Sequence, residues 1–320
     1  MQLRLSVTQI KAIWENAMAT RFVVILIAVA APSNFFISAA AAHPASGIVV
    51  DAQGQVYFIY SGHAVMKIGS EGKLEPIHTI TDGHWLALDA AGSFSHAKPK
   101  YFQRITLDGA KPALIYAGGG APLVVNRDGN LYYGSGPDDE IPGGLSVTQE
   151  TPAGVRTRFS PALSEALQKI DDGVTGLATD PDGSLYVACW TAVFKVKMDG
   201  TVTTLAHPIE VKDCDEDKAD HKPTNRLPYL RGLAVDSEGT VYAAATSCHR
   251  LIKITPEGHF ATVLKAERPW TPTGVATHDR DVYVLEYTNA NGPATKGWRP
   301  RVRKLAADGT VSVLASISQD

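Results

Sequence analysis

The sequence predicts an all-β fold, a six-bladed β-propeller of four-stranded blades behind an N-terminal signal peptide, and three observations carry that prediction. A phrase of short apolar strand, Asp or Asn, Gly turn and Tyr-bearing strand recurs six times between Gly47 and Val284. Each copy continues into a third strand, a Gly-closed hairpin and a fourth strand, as in Lys195-Val196, Gly200 and Val202-Thr203-Thr204-Leu205. A ten-residue apolar run, Phe22 to Ala31, stands ahead of all the repeats.

Composition sets the outer limits. With 320 residues, 44% hydrophobic and 20% charged, the chain is globular and long enough to bury large cores. Thirty Lys and Arg against 33 Asp and Glu leave a net charge of -3, which excludes the strongly basic balance of a nucleic-acid binder. Three Cys are too few for a scaffold built on disulfides.

The leader comes first. Arg21 precedes the run FVVILIAVAA, Pro32 follows it, and a small-residue stretch ends at Ala40-Ala41-Ala42-His43, which reads as a secretory signal cleaved after about Ala42. Ten apolar residues fall short of the roughly 20 needed to span a bilayer, so no permanent membrane span is expected. Met1 to Ala17 is long for a charged leader end, and Met18 is an alternative start. The product is expected to be secreted or periplasmic, in an oxidising compartment.

Residues 43–320 are then expected to form the propeller. Its blades start near Gly47 (GIVVDAQGQVYF), Trp85 (WLALDAAGSF), Pro122 (PLVVNRDGNLYY), Gly176 (GLATDPDGSLYV), Gly232 (GLAVDSEGTVYA) and Gly274 (GVATHDRDVYV). The anchors Asp51, Asp89, Asn126, Asp180, Asp236 and His278 lie 38, 37, 54, 56 and 42 residues apart. About 46 residues per blade suits the roughly 40–50 of propeller repeats. Third strands are expected at Lys67-Ile68, Arg104-Ile105, Val147, Lys195-Val196, Lys253-Ile254 and Arg303-Lys304-Leu305, each closed by a Gly. D-G and E-G turns are hairpin chemistry, and the anchors and glycines are read as turn geometry. A single four-stranded sheet cannot cover both its faces, whereas six arranged radially cover one another. The second copy has Phe94 near where others have Tyr, and the sixth has His278 and no Gly in its first turn.

These copies resemble NHL-repeat six-bladed propellers and, more broadly, the gluconolactonase and regucalcin-like superfamily, from Gly47 to about Leu314. The gluconolactonase likeness implies a divalent metal such as calcium, held by Glu, Asn and Asp at channel-facing strand ends. The likeness to amidating lyases, also NHL propellers, implies zinc held by His at the starts of three inner strands. Here Ser46 stands where the first Glu is expected and only His84 occupies a histidine position, so no metal ligand is assigned.

Strand alternation places the second-to-third-strand loops and the blade connections on one face, where three insertions fall. One contains PALSEALQKI, a short helix with Ser160 as N-cap and Pro161 at its first position. The others run from His207 to Leu230 and from Thr288 to Pro300. Long loops gathered on one rim make that face the expected ligand site. Ser46, His84, Ala121, Thr175, Arg231 and Thr273 begin the inner strands and ring the channel mouth there. Glu286 interrupts the apolar VYVLEY at the end of a second strand and needs a cation, for which Arg231 is the expected partner. Glu286, Arg231 and His84 are the residues available for acid-base chemistry. Trp190, His249, Trp270 and Tyr287 fall near the rim as ligand contacts.

Cys214 and Cys248 share that face and are expected to form a disulfide, while Cys189 in LYVACW is expected to remain a buried thiol. The acids Asp213, Asp215, Glu216 and Asp217 lack the spacing of a calcium loop and read as a solvated segment. No phosphate-cradling Gly loop, serine elbow, CxxC or CxxCH is present. The functional expectation is a monomeric exported propeller binding a small molecule, glycan or protein on its loop-rich face. A lactonase-like hydrolase or lyase at the channel mouth is the alternative.

Overall fold

In the computed structural model, the described residues are 44–94, 99–107, 112–135, 145–170, 172–212, 214, 227–289 and 297–318. The leader, the putting-out of its cleavage site and the acids Asp213, Asp215, Glu216 and Asp217 lie outside them. Blade one holds β1 (Ile48–Val50), β2 (Val56–Tyr60), β3 (Ala64–Ile68) and β4 (Leu74–Thr79). Blade two holds β5 (Trp85–Asp89), β6 (Gln103–Thr106) and β7 (Ala113–Ala117), and blade three β8 (Leu123–Val125), β9 (Leu131–Ser135), β10 (Ser146–Glu150) and β11 (Arg156–Phe159). The helix α1 (Pro161–Ile170) leads to blade four, β12 (Gly176–Thr179), β13 (Leu185–Ala188), β14 (Val193–Val196) and β15 (Val202–Ala206). Blade five is β16 (Leu230–Val235), β17 (Val241–Ala245), β18 (Arg250–Ile254) and β19 (Phe260–Lys265); blade six is β20 (Thr271–His278), β21 (Asp281–Asn289), β22 (Trp298–Leu305) and β23 (Val311–Ser316).

Five sheets are four-stranded antiparallel meanders in chain order, and the sheet of blade two has the order β5-β7-β6 among the described residues. Phe94 lies in a turn, and residues 95–98 that follow it lie outside the described residues. Phe94 and Phe102 are 1% and 2% exposed and pack with Trp85 and Tyr133 between blades two and three. Among the described residues β7 lies beside β5, with β6 on its other side. The core is accordingly a set of inter-blade clusters, and α1 adds Leu163 and Leu167 to the one between blades three and four. The Leu163 N–H donates to Ser160 Oγ at 3.2 Å, the expected N-cap.

The repeated Asp does more than turn the chain. Asp51 Oδ1 accepts from the N–H groups of Gln53 and Gln55, and its other oxygen accepts from the Tyr57 hydroxyl at 3.1 Å. Asp180 repeats this with Ser184 and Tyr186 and adds Lys195 Nζ at 3.2 Å. These two anchors thus satisfy turn donors while tying the first strand to the Tyr of the second and, in blade four, to the Lys of the third. Blade six lacks the Asp at His278, and there Asp281 on the second strand holds Lys304 at 2.6 Å.

The glycines divide into two kinds. Gly54 adopts φ +75°, the left-handed turn conformation that an L-residue enters at a cost. The Gly that opens a repeat has another duty, because inner strands of neighbouring blades touch there. A Cβ on Gly47 would lie 2.7 Å from Leu86 N, one on Gly176 2.8 Å from Arg231 O, and one on Gly232 2.5 Å from Gly274 Cα.

Blade six closes directly on blade one. Thr273 Oγ1 donates to Ala45 O at 2.6 Å and the Tyr287 hydroxyl donates to Ile59 O. Among the described residues each blade comes from one stretch of the chain, and no strand is exchanged between the two ends of the ring. Among the described residues no helix is long and apolar enough to cross a membrane.

Candidate functional site

The antiparallel order puts the inner-strand starts, the second-to-third-strand loops and the blade connections on one face. The inner strands enclose a cavity of about 270 Å³ along the ring axis, lined mainly by aliphatic residues such as Val49, Leu88, Val124, Ala178, Ala234 and Ala276. At its mouth Thr273 is fully buried and committed to Ala45 and Leu285 carbonyls, and Thr175 Oγ1 donates to Ala188 O. Ser46 lines the cavity, and its Oγ is buried without a hydrogen-bond partner. His84 faces Asp82 across 3.6 Å and its carbonyl accepts from the N–H groups of Ser46 and Gly47.

Arg231 is the one charged member of this ring by sequence. The pairing of β16 with β17 jumps from Leu230↔Ala245 to Leu233↔Ala243, so Arg231 sits in a bulge, a device that re-aims side chains. The side chain is half-buried, and desolvation pulls its guanidinium below the ordinary arginine value, with Tyr229 and Tyr287 opposing the shift. It stays protonated at neutral pH. Among the described residues no Asp or Glu forms an ion pair with it.

The expected pairing of Glu286 with Arg231 is not found. Glu286 is fully buried, and its two oxygens accept from Arg301 Nε and Arg303 Nη2 on the adjacent strand β22. Register decides this: Glu286 lies directly across from Arg301, whereas Arg231 belongs to another sheet. The alternation Arg299-x-Arg301-x-Arg303 was the available sequence signal, since period two puts these side chains on one face.

The rim aromatics separate by exposure. Trp190 is 43% exposed and packs on Tyr229 with ring centroids 5.2 Å apart. Tyr60, the last residue of β2, and His63 in the loop after it stack at 3.9 Å, a pair the sequence reading missed. Trp270 is half-buried and lies over the Arg301 guanidinium at 4.2 Å. His249 Nδ1 is 2.8 Å from Trp270 O and 3.1 Å from Thr271 Oγ1, so it braces the blade connection. Tyr287 is fully buried in the seam between blades six and one, which removes it from the ligand-contact set. Cys214 and Cys248 form the expected disulfide, tying the blade-four-to-five connection to the blade-five loop. Cys189 is buried, and desolvation raises its thiol far above the ordinary range, which makes it unreactive.

The mouth does not suit a divalent cation. Among the described residues no three His, Cys, Asp or Glu side chains gather at metal-binding distance, and the ring contributes a guanidinium and one imidazole where a hard cation needs several oxygens. The calcium expectation therefore finds no set of ligands there.

No protein-family model matches the sequence, and no curated protein does. Solved structures do. The chain is similar to a luciferin-regenerating enzyme at 15% identity over 88% of this chain and 96% of that one, with a TM-score of 0.51. It is also similar to the PQQ-bound form of aldose sugar dehydrogenase from Streptomyces coelicolor, at 14% identity over 82% and 95% of the two chains and a TM-score of 0.50. A gluconolactonase from Xanthomonas campestris matches at 16% identity over 76% and 84%, with a TM-score of 0.48. At these identities the likeness is one of fold, and the fold is a six-bladed β-propeller.

Proposed function

We propose that the protein is an exported propeller that binds a small acceptor-rich molecule, such as a carboxylated sugar, at the channel mouth of its loop-rich face. One observation supports this above others: Arg231, half-buried in a bulge at the mouth, has no acidic partner among the described residues. A desolvated guanidinium is a strong anchor for a carboxylate, which it meets bidentately. Trp190 with Tyr229 and Tyr60 with His63 supply flat apolar surfaces on the same face, the kind on which sugar rings stack.

Titration of carboxylated and neutral sugars, followed by calorimetry and by Trp fluorescence, tests the reading. Arg231→Gln is expected to weaken binding of the carboxylated members at least tenfold, in keeping with about 1.5–3 kcal/mol for a charged hydrogen bond. Equal affinity in the variant would refute Arg231 as the anchor. A hydrolase reading draws on the His84–Asp82 pair at the mouth, and a lactone and ester screen on the wild type and His84→Ala separates it from simple binding. Glu286 enters neither reading, because both its oxygens are engaged by arginines. Export is supported by the Cys214–Cys248 disulfide, a bond that persists in oxidising compartments. The mature chain is expected to begin near His43, and N-terminal sequencing of exported protein that returned Met1 or Met18 would contradict it.

A further inference from the structure

The disulfide stands behind the proposed ligand site, and one short turn connects the two. Cys248 ends the single turn of 3-10 helix Thr246–Cys248 that follows β17, and it is buried between blades four and five with Ile209, Val211 and Leu230. Two amides of this turn hold the chain that leads to Arg231: the Thr246 N–H donates to Tyr229 O at 3.3 Å and the Ser247 N–H to Pro228 O at 3.2 Å. On its other side the turn is fixed to blade six, where Thr246 Oγ1 donates to Pro272 O at 3.0 Å. Cys214 belongs to the same blade connection as Pro228, so the disulfide and the two amides pin both described stretches of that connection to one turn. What they hold is a conformation the chain does not choose alone. Tyr229 has φ +47°, a left-handed backbone that is unfavourable for a bulky residue and persists only where its surroundings over-determine it. Held there, Tyr229 packs on Trp190, and the Leu230 N–H donates to Trp190 O at 3.1 Å. Leu230 pairs with Ala245, the residue just before the turn, and the bulge that carries Arg231 comes next.

We propose that the Cys214–Cys248 disulfide positions the corner of the mouth formed by Trp190, Tyr229 and Arg231, so that ligand affinity falls when the bond is reduced. This rests on the reading of Arg231 as the ligand anchor. Reduction by a dithiol breaks the S–S bond, passes two electrons and two protons to the sulfurs as Cys214 and Cys248 thiols, and closes the dithiol into its own disulfide. With that tie gone, only hydrogen bonds oppose the relaxation of Tyr229, and fewer molecules have the corner assembled. The apparent affinity falls in proportion to the assembled fraction. A bond that only constrained the unfolded chain would raise the Tm and leave the affinity of the folded protein unchanged.

The test compares the full exported chain in three forms, all well below the lowest Tm: oxidised, reduced with dithiothreitol, and carrying Cys214→Ala with Cys248→Ala. Thiol titration verifies that the bond has opened. Calorimetric titration with glucuronate, a carboxylated sugar, should give a dissociation constant raised about tenfold or more in the reduced and variant forms. Reoxidation should restore the original value. Amide hydrogen exchange supplies a reading that needs no ligand: protection over residues 228–231 and 246–248 should drop without the disulfide, while the inner strands of the other blades keep theirs. A lower Tm with unchanged affinity and unchanged exchange would overturn the proposal and leave the bond a stabiliser of the fold. Oxidised protein that fails to bind glucuronate would defeat the Arg231 reading instead, and the exchange at residues 228–231 then decides the role of the disulfide by itself.

Discussion

Replacing Glu286 with Gln is expected to destabilise the protein by about 3–5 kcal/mol, the cost of removing one partner from a buried ion pair. The native carboxylate is fully buried and accepts from Arg301 and Arg303 at once. An amide of the same shape keeps the volume but leaves two guanidinium charges with no counter-charge between them, and it turns one of its own groups, an NH₂, toward donors. Denaturant unfolding monitored by Trp fluorescence would register the loss as a lower midpoint. A change below about 1 kcal/mol would mean that the arginines are solvated well enough to do without the carboxylate.

Replacing Gly274 with Ala should cost about 3 kcal/mol, the upper part of the range for forcing extra volume into a packed core. An added Cβ would overlap the carbonyl of Ser46 and press on Ile48 Cγ2, 3.0 Å away. Backbone lies in the way, so no side-chain rotation relieves the overlap. Gly72 makes the comparison, since it has open space around its Cβ position and φ +75°, and Ala there should cost only about 1 kcal/mol from its left-handed backbone. Equal losses at the two positions, measured by denaturant unfolding, would show that the contact between blades six and one yields easily.

The blades were legible because their determinants are local. Alternation, the Asp of the turn and the Gly after it all lie within a dozen residues, and Asp51, Asp180 and Asp236 each make the turn bonds that their spacing implies. In blade two the burial of Phe94 and Phe102 against Tyr133 of blade three was not legible, because that neighbour is distant in sequence. The opening glycines were read as turn residues for the same reason, since the strand that crowds Gly232 is more than 40 residues away. Glu286 was recognisable as a buried carboxylate needing a cation, but its partner depended on the register of β21 with β22, which a long intervening insertion hides. Arg231 was placed correctly at an inner-strand start, whereas its lack of a carboxylate emerged only from the packing.

The way the ring shuts carries an entropic consequence. Neighbouring blades are linked by bonds such as Thr277 Oγ1 to Val235 O, 42 residues apart, whereas the bond from Thr273 to Ala45 spans 228. Closing a loop costs free energy in proportion to the logarithm of its length, so the last interface forms at a disadvantage of about 1.5 kcal/mol relative to the others. The propeller is in this sense a spring washer: five joints are held by short tethers, and the sixth depends on the fit of Gly274, Thr273 and Tyr287 against blade one. Strain or heat should part the circle there before it separates any other pair of blades.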